Sequence, residues 1–391
     1  MTTSSSDCCV RKKAKKEMAQ FSGERLREAR EFRGLTLGET AALVGVSRQA
    51  ISLFENNRKA PGAETMGQLS RALKFPVAFF LRTDDAPVRQ GPLNFRKLSS
   101  ATKRERAKAA VYEHWLAELA EGLLSQVELP LPNLPDFSDL EFESLSKDDL
   151  EDLAEKTRRF WGLGDGPISN LTLLLENNGV LVVRVPLAAR LDGLSAWREE
   201  KPVVIVNSDA PWARGRLDVA HELAHLLLHR AVTEEDINDP QRHKLIESQA
   251  FYLGMALLFP KISFAREFYS TAMPALIELK KRWGVSIQAL VTRAYHLKLI
   301  SENQRMYIFR QLSINKMRTV EPLDKEIAAE RPSLMRKILE FLADSGIENS
   351  RTLAERMALP LNELSHLMEM PTSDFQPLEP KVIPFKLKSV A

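Results

Sequence analysis

His221 and His225 stand four positions apart in the chain, with Glu222 between them. Residues four apart on an α-helix share one face and lie about 6 Å apart along the axis, so two imidazoles can reach one metal ion. Glu222 is rotated relative to both, which lets it act on a water molecule instead of the ion. Zinc (Zn2+) suits two imidazoles and a carboxylate, and an open fourth position lowers the pKa of water toward about 7. The spacing predicts a zinc site with Glu222 as general base.

The third metal ligand does not follow from this spacing. His229 continues the four-residue interval, but it lies about 12 Å along the axis from His221, too far for one ion to bridge. His243 and Glu247 remain as candidates near the start of the next predicted helix. We favour Glu247, because the amphipathic run that it begins would pack antiparallel to the histidine helix and bring the carboxylate to the ion.

Peptide hydrolysis also requires a group that stabilises the oxyanion. Arg293, Tyr295 and His296 lie on a predicted helix after residues 283–286 and are the candidates for this role. A buried Tyr295 and a solvent-facing Arg293 without a catalytic role are the alternative that we favour.

The elements that must position these residues are helices around a small sheet. Residues 149–161, 168–177 and 216–229 have helical patterns, and the β-branched runs at 180–185 and 203–206 predict buried strands. A buried helix with incidental histidines is the alternative to a metal site, but a strand ending at Asn207 just before the histidine helix favours the metal. The predicted fold class is mainly α with a small β-sheet.

Four segments in this region resemble the ImmA/IrrE metallopeptidase family: DGLS at 192–195, NS at 207–208, RLDVAHELAHLLLH at 216–229 and ESQAFYLGMALLFP at 247–260. The resemblance covers about residues 150–300. It implies a zincin-like α+β fold, zinc as the cofactor, His221, His225 and Glu247 as its ligands, and Glu222 as general base.

The sequence departs from this family pattern at two positions. Ala224 replaces a glycine that is frequent between the two histidines, and Phe251 stands where an asparagine often follows the ligand glutamate. Neither change removes a metal ligand. Phe251 can alter the groups that support the ligands, so metal binding is better supported than proteolysis.

The N-terminal part of the chain reads as a bundle of short helices. Gly34 ends the first helix, Thr36 caps the second, Gly45 ends it, and Ser47 caps the third. The run LTLGETAALVGVSRQAISLFENNRKAP at 35–61 resembles the Cro/C1-type (XRE) helix-turn-helix family, and the resemblance continues to Leu73. It implies double-stranded operator DNA as partner and a homodimer that reads two half-sites. A five-helix bundle that binds protein is the alternative.

Six polar residues of this bundle are the predicted DNA contacts. The third helix presents side chains that can reach base edges, and the residues after it suit phosphates. The predicted base contacts are Arg48, Gln49 and Ser52, and the predicted phosphate contacts are Asn57, Arg58 and Lys59.

Charge supports a polyanionic partner for this end of the chain. Residues 1–82 hold 15 Lys and Arg against 8 Asp and Glu, and the remainder holds 40 against 44. A solvated basic tail is the alternative, since five cations lie between Arg11 and Lys16. Cys8 and Cys9 are adjacent and too few to hold a fold or a metal together. No apolar run approaches the roughly 20 residues that span a bilayer, so we expect no membrane association and a cytoplasmic protein.

The connecting and C-terminal segments contain no group of residues whose spacing predicts catalysis or metal binding. Residues 101–126 predict a charged helix whose apolar stripe includes Tyr112, Trp115 and Leu119; it could pair with a second copy or, as we favour, dock on the next domain.

Short amphipathic helices at 334–342, 353–357 and 361–368 predict an interaction or dimerisation region, and 375–391 is expected to be extended. The predicted regions are a basic flexible tail at 1–17, a helix-turn-helix domain at 18–82, a linker and connecting helix at 83–147, a zinc metallopeptidase domain at 148–300 and a helical interaction region at 301–391.

Together these patterns predict a DNA-binding transcription regulator with a zinc-dependent endopeptidase domain. That domain would cleave or sense a repressor- or antitoxin-like protein in a phage, mobile-element, toxin–antitoxin or stress circuit. One alternative is a non-enzymatic repressor or antitoxin whose zinc domain is a binding scaffold. Another is an enzyme that uses its N-terminal bundle only to dock on protein.

Overall fold

The computed structural model describes residues 21–82, 102–128, 131–187, 192–198 and 200–376. The chain divides into two compact units, residues 1–87 and 88–391. The predicted tail at 1–17 and the linker at 83–91 lie outside the described residues, as does the predicted extended segment from residue 377 onward. Within the described parts, no helix combines the length and apolar character needed to cross a membrane.

The part of the first unit that the structure describes, residues 21–82, is helical, and local capping explains where its central helices begin and end. Thr36 caps the second helix in a capping box with Glu39, Gly45 ends it in the left-handed conformation (φ 73°), and the Ser47 hydroxyl accepts from Ala50 N. These boundaries confirm the sequence prediction. The helices are α1 (Gly23–Phe32), α2 (Leu37–Val44), α3 (Arg48–Glu55), α4 (Ala63–Leu73) and α5 (Val77–Phe80).

A close approach joins α1 to the end of α3. A Cβ built on Gly23 would lie 2.3 Å from the carbonyl oxygen of Phe54, so the contact requires a residue without a side chain. The buried side chains Leu26, Ile51 and Leu69 fill the space between the helices. This packing leaves one side of α3 at the surface.

The second unit combines helices with one three-stranded sheet. The strands are β1 (Leu181–Val185), β2 (Gly193–Arg198) and β3 (Lys201–Asn207). The helices are α6 (Lys103–Leu124), α7 (Lys147–Phe160), α8 (Leu171–Asn177), α9 (Trp212–Leu228), α10 (Glu234–Asn238), α11 (Pro240–Leu258), α12 (Lys261–Glu267), α13 (Met273–Trp283), α14 (Ile287–His296), α15 (Glu302–Ile314), α16 (Leu334–Asp344), α17 (Ser350–Met357) and α18 (Leu361–Met368). The described chain is therefore mainly α with a small sheet, as predicted.

The sheet has the order β1-β3-β2, with β3 parallel to β1 and antiparallel to β2. Val183 pairs with Ile205, and Ser195 pairs with Val204. The sequence prediction located β1 and β3 but not β2. That strand lacks a β-branched run, and its pairing with β3 holds it extended.

The predicted histidine helix is α9, and it is buried on all sides after its first turn. Every residue from Arg216 to Leu228 is buried, between the sheet on one side and α11 on another. A Cβ on Gly254 of α11 would lie only 3.0 Å from the backbone of Ala220 and His221. The missing side chain therefore lets α9 and α11 approach closely beside the first histidine.

The C-terminal helices pack on both α6 and the sheet. Trp115 and Leu119 of α6 are fully buried, and the Tyr112 hydroxyl donates to the Glu363 carboxylate across 2.8 Å. α16 contacts α6, and both α16 and α18 contact β1. The stripe on α6 thus docks within the unit, but on the C-terminal helices instead of on the domain that follows it, as we had favoured. α15, which the sequence prediction missed, buries only Ile308 and Leu312.

Candidate metal centre and candidate nucleic-acid interface

Three side chains from α9 and α11 converge at one point. His221 Nε2 lies 3.0 Å from His225 Nε2, and the Glu247 carboxylate oxygens lie 3.3 and 3.4 Å from these two nitrogens. His221, His225 and Glu247 form the group that could hold a metal ion among the residues described, and His243 is not part of it. The structure therefore brings together the two histidines and the favoured third ligand.

The spacing and environment of this cluster fit a small tetrahedral cation. Ligand atoms at 2.0–2.2 Å from one zinc ion lie roughly 3.3–3.6 Å apart, close to the observed separations. Glu247 Oε1 is buried and takes part in no hydrogen bond with the described residues. Burial raises the pKa of Glu247, but the imidazoles of His221 and His225 outweigh burial and hold the pKa well below its usual range. The cluster thus presents a charged carboxylate and two imidazoles.

Glu222 follows His221 on α9, and its carboxylate contacts the sheet. The Ser195 hydroxyl of β2 donates to Glu222 Oε2 across 2.9 Å, and both side chains are buried. A Cβ on Gly193 would come within 3.1 Å of Glu222 Oε1, so this glycine makes room for the carboxylate. Ser195 and Gly193 belong to the DGLS motif, although the sequence analysis assigned no role to either residue. β2 therefore positions the acid that α9 presents.

The predicted DNA contacts lie at and beyond the exposed side of α3. Arg48, Gln49, Arg58 and Lys59 are exposed, and Ser52 is partly buried. Asn57 is different, because it adopts a left-handed backbone (φ 54°) and its Oδ1 accepts from Gly23 N at 2.7 Å. Its side chain therefore helps to hold the start of α1, a role that sequence analysis missed.

Comparisons with known proteins identify relatives for the helical N-terminal region and for the region that holds the candidate metal centre. Residues 26–80 match the helix-turn-helix family, and residues 175–295 match a peptidase family described as the IrrE N-terminal-like domain. The chain joins a helix-turn-helix domain to an IrrE-like peptidase domain. It is also 28% identical over 134 residues, 34% of this chain and 86% of the relative, to the uncharacterized HTH-type transcriptional regulator RghRB of Bacillus subtilis (strain 168). Both predicted resemblances are confirmed.

A cleft of about 820 Å³ in the IrrE-like domain opens onto the candidate metal-binding cluster, with His221, Glu247 and Phe251 in its lining. Its lining also includes residues that the sequence assigned to a separate C-terminal region, namely Phe309, Arg318, Thr319, Glu321 and Asp324. Phe251 thus faces the cleft. The segment after α15 therefore lines the same cleft as Glu247. No pattern in the sequence predicts that these two parts of the chain lie close together.

The three predicted oxyanion stabilisers lie outside this cleft lining. Arg293 is fully buried and donates to both carboxylate oxygens of Glu151 and to the Phe259 carbonyl. Tyr295 is 36% exposed, and the His296 ring stacks on the ring of Tyr252. The alternative of a buried Tyr295 with a solvent-facing Arg293 is wrong, because the guanidinium is buried against the Glu151 carboxylate and the Tyr295 side chain is exposed.

Proposed function

We propose that this protein is a DNA-binding transcription regulator whose IrrE-like domain is a zinc-dependent endopeptidase. Its substrate would be a partner protein of the repressor or antitoxin class. The observation that carries the proposal is Glu222, which follows His221 of the cluster on α9 and whose carboxylate accepts from the Ser195 hydroxyl. A purely structural metal site has no use for a proton acceptor at this place.

The residues divide the chemistry between them. His221, His225 and Glu247 would hold the ion, which when bound supplies Lewis-acid polarisation of water and of the scissile carbonyl. Glu222 would accept the proton of the attacking water and return it to the leaving amine. Ser195 would keep the Glu222 carboxylate in one orientation through the 2.9 Å hydrogen bond.

The sheet supports a protein substrate in extended form. β2 is an edge strand, since the sheet order places β3 on one side of it and no described strand on the other. An extended peptide can add to such an edge through main-chain hydrogen bonds. Its backbone would then run past Ser195 and Glu222, and the cleft would receive its side chains.

The helix-turn-helix domain would direct the protein to an operator. Arg48, Gln49 and Ser52 would contact base edges, and Arg58 and Lys59 would contact phosphates of double-stranded DNA in the cytoplasm. RghRB, which is described as an HTH-type transcriptional regulator, supports this assignment. We include a homodimer in the proposal, because helix-turn-helix domains commonly read two half-sites.

The experiment measures cleavage of one protein, the product of the gene adjacent to the one that encodes this chain. It compares the wild-type protein with the Glu222→Gln variant. We expect cleavage by wild type only, with the variant slowed by about 10²–10⁴-fold, the usual worth of a general acid–base group. Glu222→Gln should retain one zinc per chain, and Glu247→Gln should lose it. Metal content is measured by plasma mass spectrometry. Wild type without stoichiometric metal would overturn the proposed chemistry.

Phe251 favours a second candidate function, a non-enzymatic repressor or antitoxin with the IrrE-like domain as a binding scaffold. Its ring lies in the cleft lining, where it can serve partner binding instead of catalysis. Absence of cleavage by wild type and Glu222→Gln, with zinc retained in both, would establish this candidate. A footprint of wild-type protein on an operator that disappears when Arg48 or Gln49 is substituted would show that the helix-turn-helix domain binds DNA and not only protein.

A further inference from the structure

A line of buried polar side chains runs from His225 away from the metal cluster. His225 Nδ1 lies 3.1 Å from His229 Nδ1, and His229 Nε2 lies 3.2 Å from Gln249 Oε1. The Gln249 amide nitrogen donates to the Phe142 carbonyl across 2.5 Å. The three polar side chains are at most 3% exposed, so these contacts are shielded from solvent.

The far end of this line determines the position of every proton in it. The Phe142 carbonyl can only accept, so the Gln249 amide must turn its nitrogen to Phe142 and its oxygen to His229. That oxygen can also only accept, so His229 carries its proton on Nε2. The Nδ1 of a neutral His229 is then an acceptor, and His225 must supply the proton between the two rings from its own Nδ1.

The consequence appears at the metal cluster. With its proton on Nδ1, the neutral His225 has a lone pair on Nε2, the atom that lies 3.0 Å from His221 Nε2. The opposite tautomer would direct an N–H at the cluster and could not bind an ion there.

We infer that Gln249 and His229 are positioning residues that hold His225 in the tautomer competent for metal binding. Gln249 lies two residues after Glu247, so α11 supplies both a ligand and the group that orients a ligand on α9. The inference rests on the metal site of the proposed function and not on proteolysis. Hydrogen bonds of this kind usually change metal affinity by about 10–100-fold.

Zinc affinity tests the inference without any substrate. Zinc is titrated into the full-length apo-protein in competition with a chromophoric chelator. We expect His229→Leu and Gln249→Leu to weaken zinc binding by about 10–100-fold. His229→Gln should recover most of the affinity, because its amide oxygen can accept from His225 Nδ1 and its nitrogen can donate to Gln249 Oε1.

Thr157→Val is the matched control for lost buried hydrogen bonds. Thr157 is fully buried on α7, which packs on α11, and its hydroxyl donates to the Leu153 carbonyl. Zinc affinity should stay at the wild-type value in this variant. Nitrogen–proton correlation spectra of the wild-type apo-protein provide a second measurement that does not depend on any variant folding. They should show His225 protonated at Nδ1 and His229 at Nε2.

The possible outcomes separate this inference from the proposed function. Zinc binding that is equal in wild type, His229→Leu and Gln249→Leu would overturn the positioning role and leave the metal site intact. A wild-type His225 protonated at Nε2 would do the same. A wild-type protein that binds no zinc would overturn both, whereas zinc binding without cleavage would count only against the peptidase.

Discussion

The candidate DNA-contact helix α3 and the candidate metal helix α9 place their functional side chains in opposite environments. On α3, Arg48 and Gln49 are exposed, and only the opposite side, with Ile51 and Phe54, enters the core. On α9, His221 and its neighbours are less than 10% exposed from Arg216 to Leu228. On α3 the candidate binding side chains and the core side chains therefore lie on opposite faces. On α9 the candidate metal ligands are themselves part of the buried interior.

The difference concerns what a buried polar group needs. An exposed arginine keeps its hydration until DNA arrives, so its neighbours need not satisfy it. A buried carboxylate or imidazole must have its hydrogen bonds supplied by the protein, as Ser195 does for Glu222 and Gln249 does for His229. We therefore expect substitutions in the first unit to separate binding from stability, and polar substitutions in the second unit to affect stability.

The largest effect is expected at Lys280, which is fully buried with its Nζ 2.9 Å from Glu321 and 2.5 Å from Asp324. Lys280→Met leaves two buried carboxylates without their cation, so the free energy of unfolding should fall by about 3–5 kcal/mol. Urea denaturation of the full chain measures this. Lys281→Met, at the neighbouring exposed position, should change stability by less than about 0.5 kcal/mol. Equal effects at the two positions would contradict the contrast.

The next effect concerns the exposed side of α3. Arg48→Ala and Gln49→Ala should each weaken binding to a duplex selected by the wild-type protein by about 1–3 kcal/mol. Stability should change by less than about 0.5 kcal/mol, because neither side chain packs in the core. Fluorescence anisotropy measures the affinity, and Arg71→Ala, on the exposed side of α4, is the control. If either α3 variant unfolds more easily in proportion to its lost binding, the two functions are not separate there.

The smallest effect is a difference in acid sensitivity. Burial, with help from Lys147 and Arg293, lowers the pKa of His296 from 6.5 to about 4. As pH falls from about 6.5 toward 4, the unfolded chain binds a proton there that the folded chain does not, so stability is lost. After allowance for partial exposure, His296→Gln should reduce this loss by about 1–2 kcal/mol.

Urea denaturation at pH 7 and pH 5 measures this difference for wild type and His296→Gln. Residues 21–82 contain no histidine, so the first unit should show no corresponding loss over the same pH interval. A variant with the same pH dependence as wild type would show that His296 is not kept neutral by its surroundings.

Features set within a few residues could be predicted from the sequence, and features set by pairing could not. The helix boundaries at Thr36, Gly45 and Ser47 depend on hydrogen bonds that span three or four residues. β2 was missed because its strand state comes from pairing with β3. α15 was missed because its core contact is limited to Ile308 and Leu312.

For the metal centre, the sequence alone determined that His221 and His225 share one face of a helix, because the helical repeat fixes their spacing. The tertiary structure decided the rest. Gly254 lets α11 approach α9 so that Glu247 reaches both imidazoles, and Gln249 acquires its partner in His229 only through that packing. The contacts of Glu247 and Gln249 with α9 join residues 20 to 26 positions apart, where the distance depends on how helices pack and not on the local backbone.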